Sequence, residues 1–259
     1  MAFQSVFITG ASSGLGRGLA LDYARKGATV FAAARRASEL EALAKELAAG
    51  AGRIVPVPLD VANLDAQEKA IRAAEAQSGG ALDLVIANAG VGTPTHALDL
   101  DWRDVQRILH INTTAACATL SIALPAMVAQ GRGTVVGVSS LASFRGLPGN
   151  AAYSASKAAL ATFLESLRID LRGTGIQALT IYPGFVRTEM TAKNKFPMPF
   201  ILDADQAVRT MVRGIARGKR SIAYPLPLVL GTRFLASLPA PVYEFVGSQI
   251  APKRPRKKG

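Results

Sequence analysis

Tyr153 and Lys157 stand four residues apart in the run Tyr153-Ser154-Ala155-Ser156-Lys157. On a helix that spacing puts both side chains on one face, so an ammonium can sit beside a phenol. A free tyrosine has a pKa of about 10, too high to exchange protons readily at neutral pH. A cation held close favours the phenolate and is expected to pull that pKa toward the working range. Any solvated helix can carry Tyr-x-x-x-Lys, so the chemistry depends on what accompanies the pair upstream.

The first companion is the turn Thr9-Gly10-Ala11-Ser12-Ser13-Gly14-Leu15-Gly16. Glycines let a backbone turn tightly and approach a pyrophosphate, and the following helix offers unpaired N–H groups and a positive dipole end. The spacing differs from the commoner glycine-x-glycine-x-x-glycine fingerprint. The second companion is the end of the next apolar run, Ala32-Ala33-Ala34-Arg35-Arg36. A carboxylate there would bind a ribose 2′-hydroxyl and repel a 2′-phosphate. Two guanidiniums instead suit forked hydrogen bonding to a phosphate, which predicts NADP(H) over NAD(H).

These residues need a frame. Short β-rich runs at 5–9, 29–34, 54–59, 82–87, 133–139, 176–182 and 221–224 alternate with helical patterns at 15–26, 37–48, 64–76, 102–129, 152–172 and 205–217. Several strands are continuously apolar, as in Leu84-Val85-Ile86-Ala87, which is expected when helices cover both faces of a parallel sheet. The fold class predicted is α/β: a doubly wound, Rossmann-like parallel sheet of about seven strands with helices on both faces. Ligands of such sheets bind beyond the carboxyl ends of the strands, where these motifs fall.

With 259 residues, 49 % of them hydrophobic, the chain is long enough for one large domain. Residues 1–225 read as a single catalytic domain, 226–252 as an apolar extension and 253–259 as a basic tail. One cysteine, Cys117, cannot form an internal disulfide and reads as a structural thiol. His96 and His110 lack partners at ligand spacing, so no metal site is expected. The start Met1-Ala2-Phe3-Gln4 has no basic region of a signal peptide, and a cytoplasmic protein is expected. The formal charge is +12, five of it in Lys253-Arg254-Pro255-Arg256-Lys257-Lys258. No aromatic-interleaved basic stripe accompanies it, and specific nucleic-acid binding is not expected.

The motifs Thr9-Gly10-x-x-x-Gly14-x-Gly16, Asp60-Val61, Asn88-Ala89-Gly90, Asn112, Ser139-Ser140, Tyr153-x-x-x-Lys157 and Pro183-Gly184 followed by Thr188 stand in that order. From Phe3 to about Thr188 the sequence resembles a short-chain dehydrogenase/reductase. The resemblance implies a catalytic set of Asn112, Ser140, Tyr153 and Lys157. It implies that Gly10, Ser12, Ser13, Gly14, Leu15 and Gly16 hold the cofactor pyrophosphate, with Arg35 and Arg36 beside the adenosine ribose. Asp60 and Val61 are expected at the adenine, and Asn88, Ala89 and Gly90 at a ribose. Tyr153 and Lys157 also contact the cofactor, while Pro183, Gly184, Val186 and Thr188 border the nicotinamide. Ser140 lies thirteen residues before Tyr153, the family interval, and is taken to bind the substrate carbonyl; strand alternation turns Ser139 away. Asn112 is taken to hold a water that relays protons to Lys157.

In the reducing direction this implies hydride from NADPH to a ketone or aldehyde, with Tyr153 donating the proton. The alternative is a non-catalytic NADP-binding regulator on the same fold. A lid is expected at 189–203, including Met190, Lys193, Lys195, Phe196, Met198, Phe200, Ile201 and Leu202. With Phe144, Leu147 and Arg187 it suggests a hydrophobic substrate. A homodimer built on the helices of Asn112 and Tyr153 is implied. A tetramer is doubtful, because the end of the chain lacks the family's glycine-rich closing strand. The apolar segment after Tyr224 has three readings: cover for the cleft, a contact with anionic membrane at the inner face, or a partner site.

Overall fold

The computed structural model describes residues 3–47, 52–93, 95–193 and 197–250. Every residue of β1 (Ser5–Thr9) is buried, with Val6 and Ile8 in the core on one side of the sheet and Phe7 on the other. Such two-sided burial explains the absence of a polar alternation in the sequence. The same holds for β4 (Leu84–Ala87), and largely for β2 (Thr29–Ala34), β5 (Gly133–Val138) and β6 (Ile176–Pro183). With β3 (Arg53–Pro58) and β7 (Ser221–Tyr224) at the edges, they form one parallel sheet in the order β3-β2-β1-β4-β5-β6-β7.

Helices α1 (Gly14–Arg25), α2 (Ala37–Lys45) and α7 (Ala204–Ala216) cover one face. Their core includes Leu19, Leu40, Val208 and Met211. The other face carries α3 (Leu64–Ser78), α5 (Ala116–Gln130) and α6 (Ala151–Asp170), with Ile71, Leu120, Leu160 and Leu164. The chain after β7 forms α8 (Leu226–Ser237) and α9 (Ala240–Ile250).

Two expected elements differ. The strand expected at 82–87 begins at Leu84, because the Asp83 carboxylate accepts the Gln4 and Ser5 N–H groups at 2.7 and 3.2 Å and anchors the turn. The helix expected at 102–129 runs unbroken but is not α-helical throughout: α4 (Trp102–Leu109) passes through a π-helical segment, His110–Ala115, into α5. Side chains of that segment are tied elsewhere. His110 Nε2 lies 2.9 Å from the Ala62 carbonyl, and Asn112 bonds both polar groups of the Val91 backbone.

The approach of α6 to β5 fixes the geometry that matters. A Cβ on Gly137 would lie 2.4 Å from Leu164 Cδ1 and 3.3 Å from Leu160 Cδ1, so the glycine leaves the room these two leucines of α6 occupy. Gly137→Ala should lift α6 and cost about 1–3 kcal/mol as an overpacked core. Urea denaturation should show the lower midpoint, whereas an unchanged midpoint would mean the helix is not so constrained.

Candidate active site

The strand order reverses between β1 and β4, so the chain leaves these two strands in opposite directions and opens a crevice at their carboxyl ends. Thr9 closes one side of it. Its hydroxyl accepts the N–H groups of Asn88 and Ala89 at 3.0 and 3.1 Å, and Asn88 Nδ2 donates back to the Thr9 and Gly10 carbonyls at 2.9 and 3.3 Å. The loops after β1 and β4 are therefore one unit. Glycine is obligatory where they meet: a Cβ on Gly16 would fall 2.2 Å from the Gly10 oxygen, and one on Gly10 would fall 2.8 Å from Ala89 Cα.

At the start of α1, Ser13 is the N-cap but makes no side-chain capping bond. The first N–H groups of the helix thus face the crevice with their positive dipole end, a setting suited to a phosphate. Thr188 packs within reach of Gly14, where a Cβ would meet Thr188 Cγ2 at 3.1 Å. Arg36 reaches back across this loop. Its Nε and Nη2 donate to Ser12 Oγ at 3.3 and 3.2 Å, and Nη2 pairs with Glu189 at 3.2 Å. Both partners of that ion pair are exposed, so it is weak and replaceable. Arg35 is exposed beside it. Asp60 accepts the Ala62 N–H at 3.0 Å, and Val61 is pinned by buried Gln67, whose Nε2 donates to the Val61 carbonyl at 2.6 Å. The glycine cradle, the uncapped helix and the guanidiniums fit a dinucleotide phosphate.

The Tyr153 side chain lies on α6 close to Ser140, just past β5, near enough for the serine to influence the phenol. Lys157 is buried; its Nζ donates to the Val138 carbonyl at 2.8 Å and lies 5.9 Å from the Tyr153 ring centre. The expectation that Lys157 sets a low phenol pKa needs correction. Burial dominates and raises the Tyr153 pKa, while Ser140 opposes it. Burial also lowers Lys157 to about 8, which weakens its charge as a tuning group.

Asn112 is fully buried, and its side-chain amide is spoken for. Oδ1 accepts the Val91 N–H at 2.8 Å, and Nδ2 donates to the Val91 carbonyl at 2.9 Å and Ser156 Oγ at 3.0 Å. The site around it is tight: a Cβ on Gly90 would meet Asn112 Oδ1 at 3.2 Å and Lys157 Nζ at 3.3 Å.

Two serines outside the predicted set hold the reacting segment of α6. Ser139 turns away from the cleft, as alternation required, and donates to the Lys157 carbonyl at 2.7 Å. Ser156 donates to the Tyr153 carbonyl at 2.7 Å while accepting from Asn112. The only sequence signal for either was a small hydroxyl beside a reacting residue.

The residues expected at the substrate are gathered unevenly. A side chain at Gly92 would touch both the Tyr153 ring and Met190 Sδ, so these two flank one opening. Phe144 meets Tyr182 at a tilt, ring centres 5.2 Å apart, and lies under the Arg233 guanidinium of α8 at 5.8 Å. Phe200 is largely exposed, Leu147 is 36 % exposed, and Arg187 pairs with Asp203 at 2.8 Å. Lys195 and Phe196 lie outside the described residues. Helix α8 also approaches the cofactor side: a Cβ on Gly184 would meet Leu228 Cδ2 at 2.7 Å, and the Gly184 N–H donates to the Tyr224 carbonyl at 2.7 Å. Val186 bridges to Leu202, and the Pro183 carbonyl lies 3.5 Å from Ser140 Oγ.

Elsewhere little chemistry is assembled. A depression of about 770 Å³ opens at the opposite, amino end of the strands, but its carboxylate, Asp83, is taken by Gln4 and Ser5. Among the described residues no three His, Cys, Asp or Glu side chains are grouped to hold a metal ion. His96 Nδ1 accepts the Leu98 N–H at 3.2 Å, and partial burial raises the Cys117 thiol to about 11.

Comparison with known proteins agrees with this geometry. The short chain dehydrogenase family profile matches residues 4–197. An uncharacterized oxidoreductase of Myxococcus xanthus is 54 % identical over 250 residues, covering 96 % of this chain and 98 % of that protein. The 11-beta-hydroxysteroid dehydrogenase-like 3 protein of Arabidopsis thaliana is 35 % identical over 232 residues, covering 87 % and 74 %. Among solved structures, a short-chain dehydrogenase from Sphingobium yanoikuyae in complex with NADPH superposes with a TM-score of 0.80 at 25 % identity, covering 99 % of this chain and all of that one. The chain belongs to the short-chain dehydrogenase/reductase family of oxidoreductases.

Proposed function

We propose that the protein reduces a hydrophobic ketone or aldehyde with NADPH and, in reverse, oxidises the secondary or primary alcohol. The observation that carries this reading is the convergence of Tyr153, Ser140 and buried Lys157 at the ends of the central strands, beside the glycine cradle. Bound NADPH supplies the hydride. Its pyrophosphate would lie on residues 10–16, its 2′-phosphate against Arg35 and Arg36, and its adenine beside Asp60 and Val61. Asn88, Ala89 and Gly90 would line a ribose, with Lys157 on the nicotinamide ribose hydroxyls and Pro183, Gly184, Val186 and Thr188 around the ring. The NADPH complex of the Sphingobium relative supports this cofactor.

Tyr153 is the acid. Its raised pKa keeps the phenol protonated at neutral pH, ready to give its proton to the carbonyl oxygen. Ser140 holds the same oxygen and steadies the charge that develops there. Lys157, still mostly charged at pH 7, returns a proton to Tyr153 through water. The Asn112 amide is saturated by Val91 and Ser156, so a relay water would rest on the backbone carbonyl of the π-helical segment. Met190 and Phe144 favour an apolar substrate, and the Arabidopsis relative's hydroxysteroid dehydrogenase name points the same way. Exposed Trp102, Val128 and Ile169 on α4, α5 and α6 support a homodimer.

Tyr153→Phe should lower turnover by about two orders of magnitude or more while leaving NADPH affinity within a few-fold. Steady-state kinetics with a graded carbonyl panel, beside fluorescence titration of NADPH, checks both, and near-normal turnover would refute the assigned acid. Arg35→Asp should weaken NADPH binding by about tenfold or more and shift the preference toward NADH. An unchanged ratio of the two affinities would remove the 2′-phosphate assignment.

A further inference from the structure

The C-terminal helices are clasped to the loop that follows Ser140. Arg145 Nη1 donates to the Ala236 and Leu238 carbonyls at 2.7 and 2.9 Å, closing the turn between α8 and α9. Its guanidinium lies 4.4 Å from the Tyr243 ring, and the Tyr243 hydroxyl donates to the Gly146 carbonyl at 2.6 Å. The inner side of α8 is used as well, with Val229 buried, Leu228 against Gly184 and Arg233 over Phe144.

The outer side is not. Leu226, Leu230 and Phe234 recur at four-residue spacing and are 59–66 % exposed, and Phe245 of α9 is 68 % exposed. Four residues on a helix advance it by a little over one turn, so the three α8 side chains form one stripe. Large apolar side chains in a contiguous exposed stripe mark a contact surface. The charge around it is lopsided. From Leu226 to the end of the chain there is one acidic residue, Glu244, against Arg233 and the five cations at 253–258, which follow α9 after Ile250 within a few residues.

We propose that the outer face of α8 and α9, together with the basic tail, docks on an anionic membrane surface. Apolar side chains would enter the headgroup boundary while the cations neutralise lipid phosphates, the two-signal arrangement that interfacial anchoring requires. A second copy of this chain would match the apolar stripe but would be repelled by a like-charged tail, which favours the lipid occupant. Because the inner face of α8 covers Gly184 and Phe144, docking sets the cleft at the bilayer, where an apolar carbonyl compound partitions. The docking itself stands apart from the reaction proposed above.

The test is co-sedimentation of the full-length protein with vesicles of phosphatidylcholine alone and of phosphatidylcholine mixed with phosphatidylglycerol. Binding should require the anionic lipid and fall as salt is raised. Leu230→Ser/Phe234→Ser and a truncation after Pro252 should each reduce bound protein at least tenfold, with NADPH affinity and circular dichroism unchanged. Absence of binding to anionic vesicles would overturn the proposal. So would binding lost with the tail but indifferent to the two serines, or a wild-type dimer that the double variant converts to monomer without any vesicle binding.

Discussion

The site depends on how closely α6 lies against β5. With no side chain at Gly137, Leu160 and Leu164 settle on the strand, and the helix turn above them is brought down to the strand end. In that packing Lys157 Nζ reaches the Val138 carbonyl and Ser139 Oγ reaches the Lys157 carbonyl. Tyr153 is then left facing Ser140. Misplacement by about 1 Å in such a constellation costs on the order of a hundredfold in rate, so packing remote from the chemistry is part of the chemistry.

The same burial decides the protonation states. Taking a phenol out of water penalises its anion, and taking an ammonium out penalises its cation, so the two groups shift in opposite directions. Ser140 works against the first shift, which adds an electrostatic role to the one proposed for it. A protonated phenol beside a partly titratable lysine suits proton donation to a forming alkoxide, and hence reduction.

Much of this was legible because glycines and reactive side chains carry their reasons locally. The close contacts of Gly10 and Gly16 with the loops after β1 and β4 leave no room for a Cβ, and the one-turn spacing of Tyr153 and Lys157 needed only a helix. What escaped depends on distance in the chain. An apolar period over 102–129 cannot reveal the π-helical segment at His110–Ala115, whose Asn112 bonds Val91, 21 residues back. Arg145 and the α8–α9 turn are 91 residues apart, so no local pattern announced the clasp. The direction of the Tyr153 pKa was misjudged for a related reason: the sequence places the cation, but only the fold determines how much water is lost.

The most direct measurement is the pH dependence of kcat/KM for carbonyl reduction in the wild type and in Ser140→Ala. If Tyr153 is the buried acid, reduction fails as pH rises through the phenol pKa, and losing the Ser140 hydroxyl moves that alkaline limb to higher pH. An alkaline limb at the same position in both proteins, or none in either, would contradict a Tyr153 proton tuned by burial and Ser140.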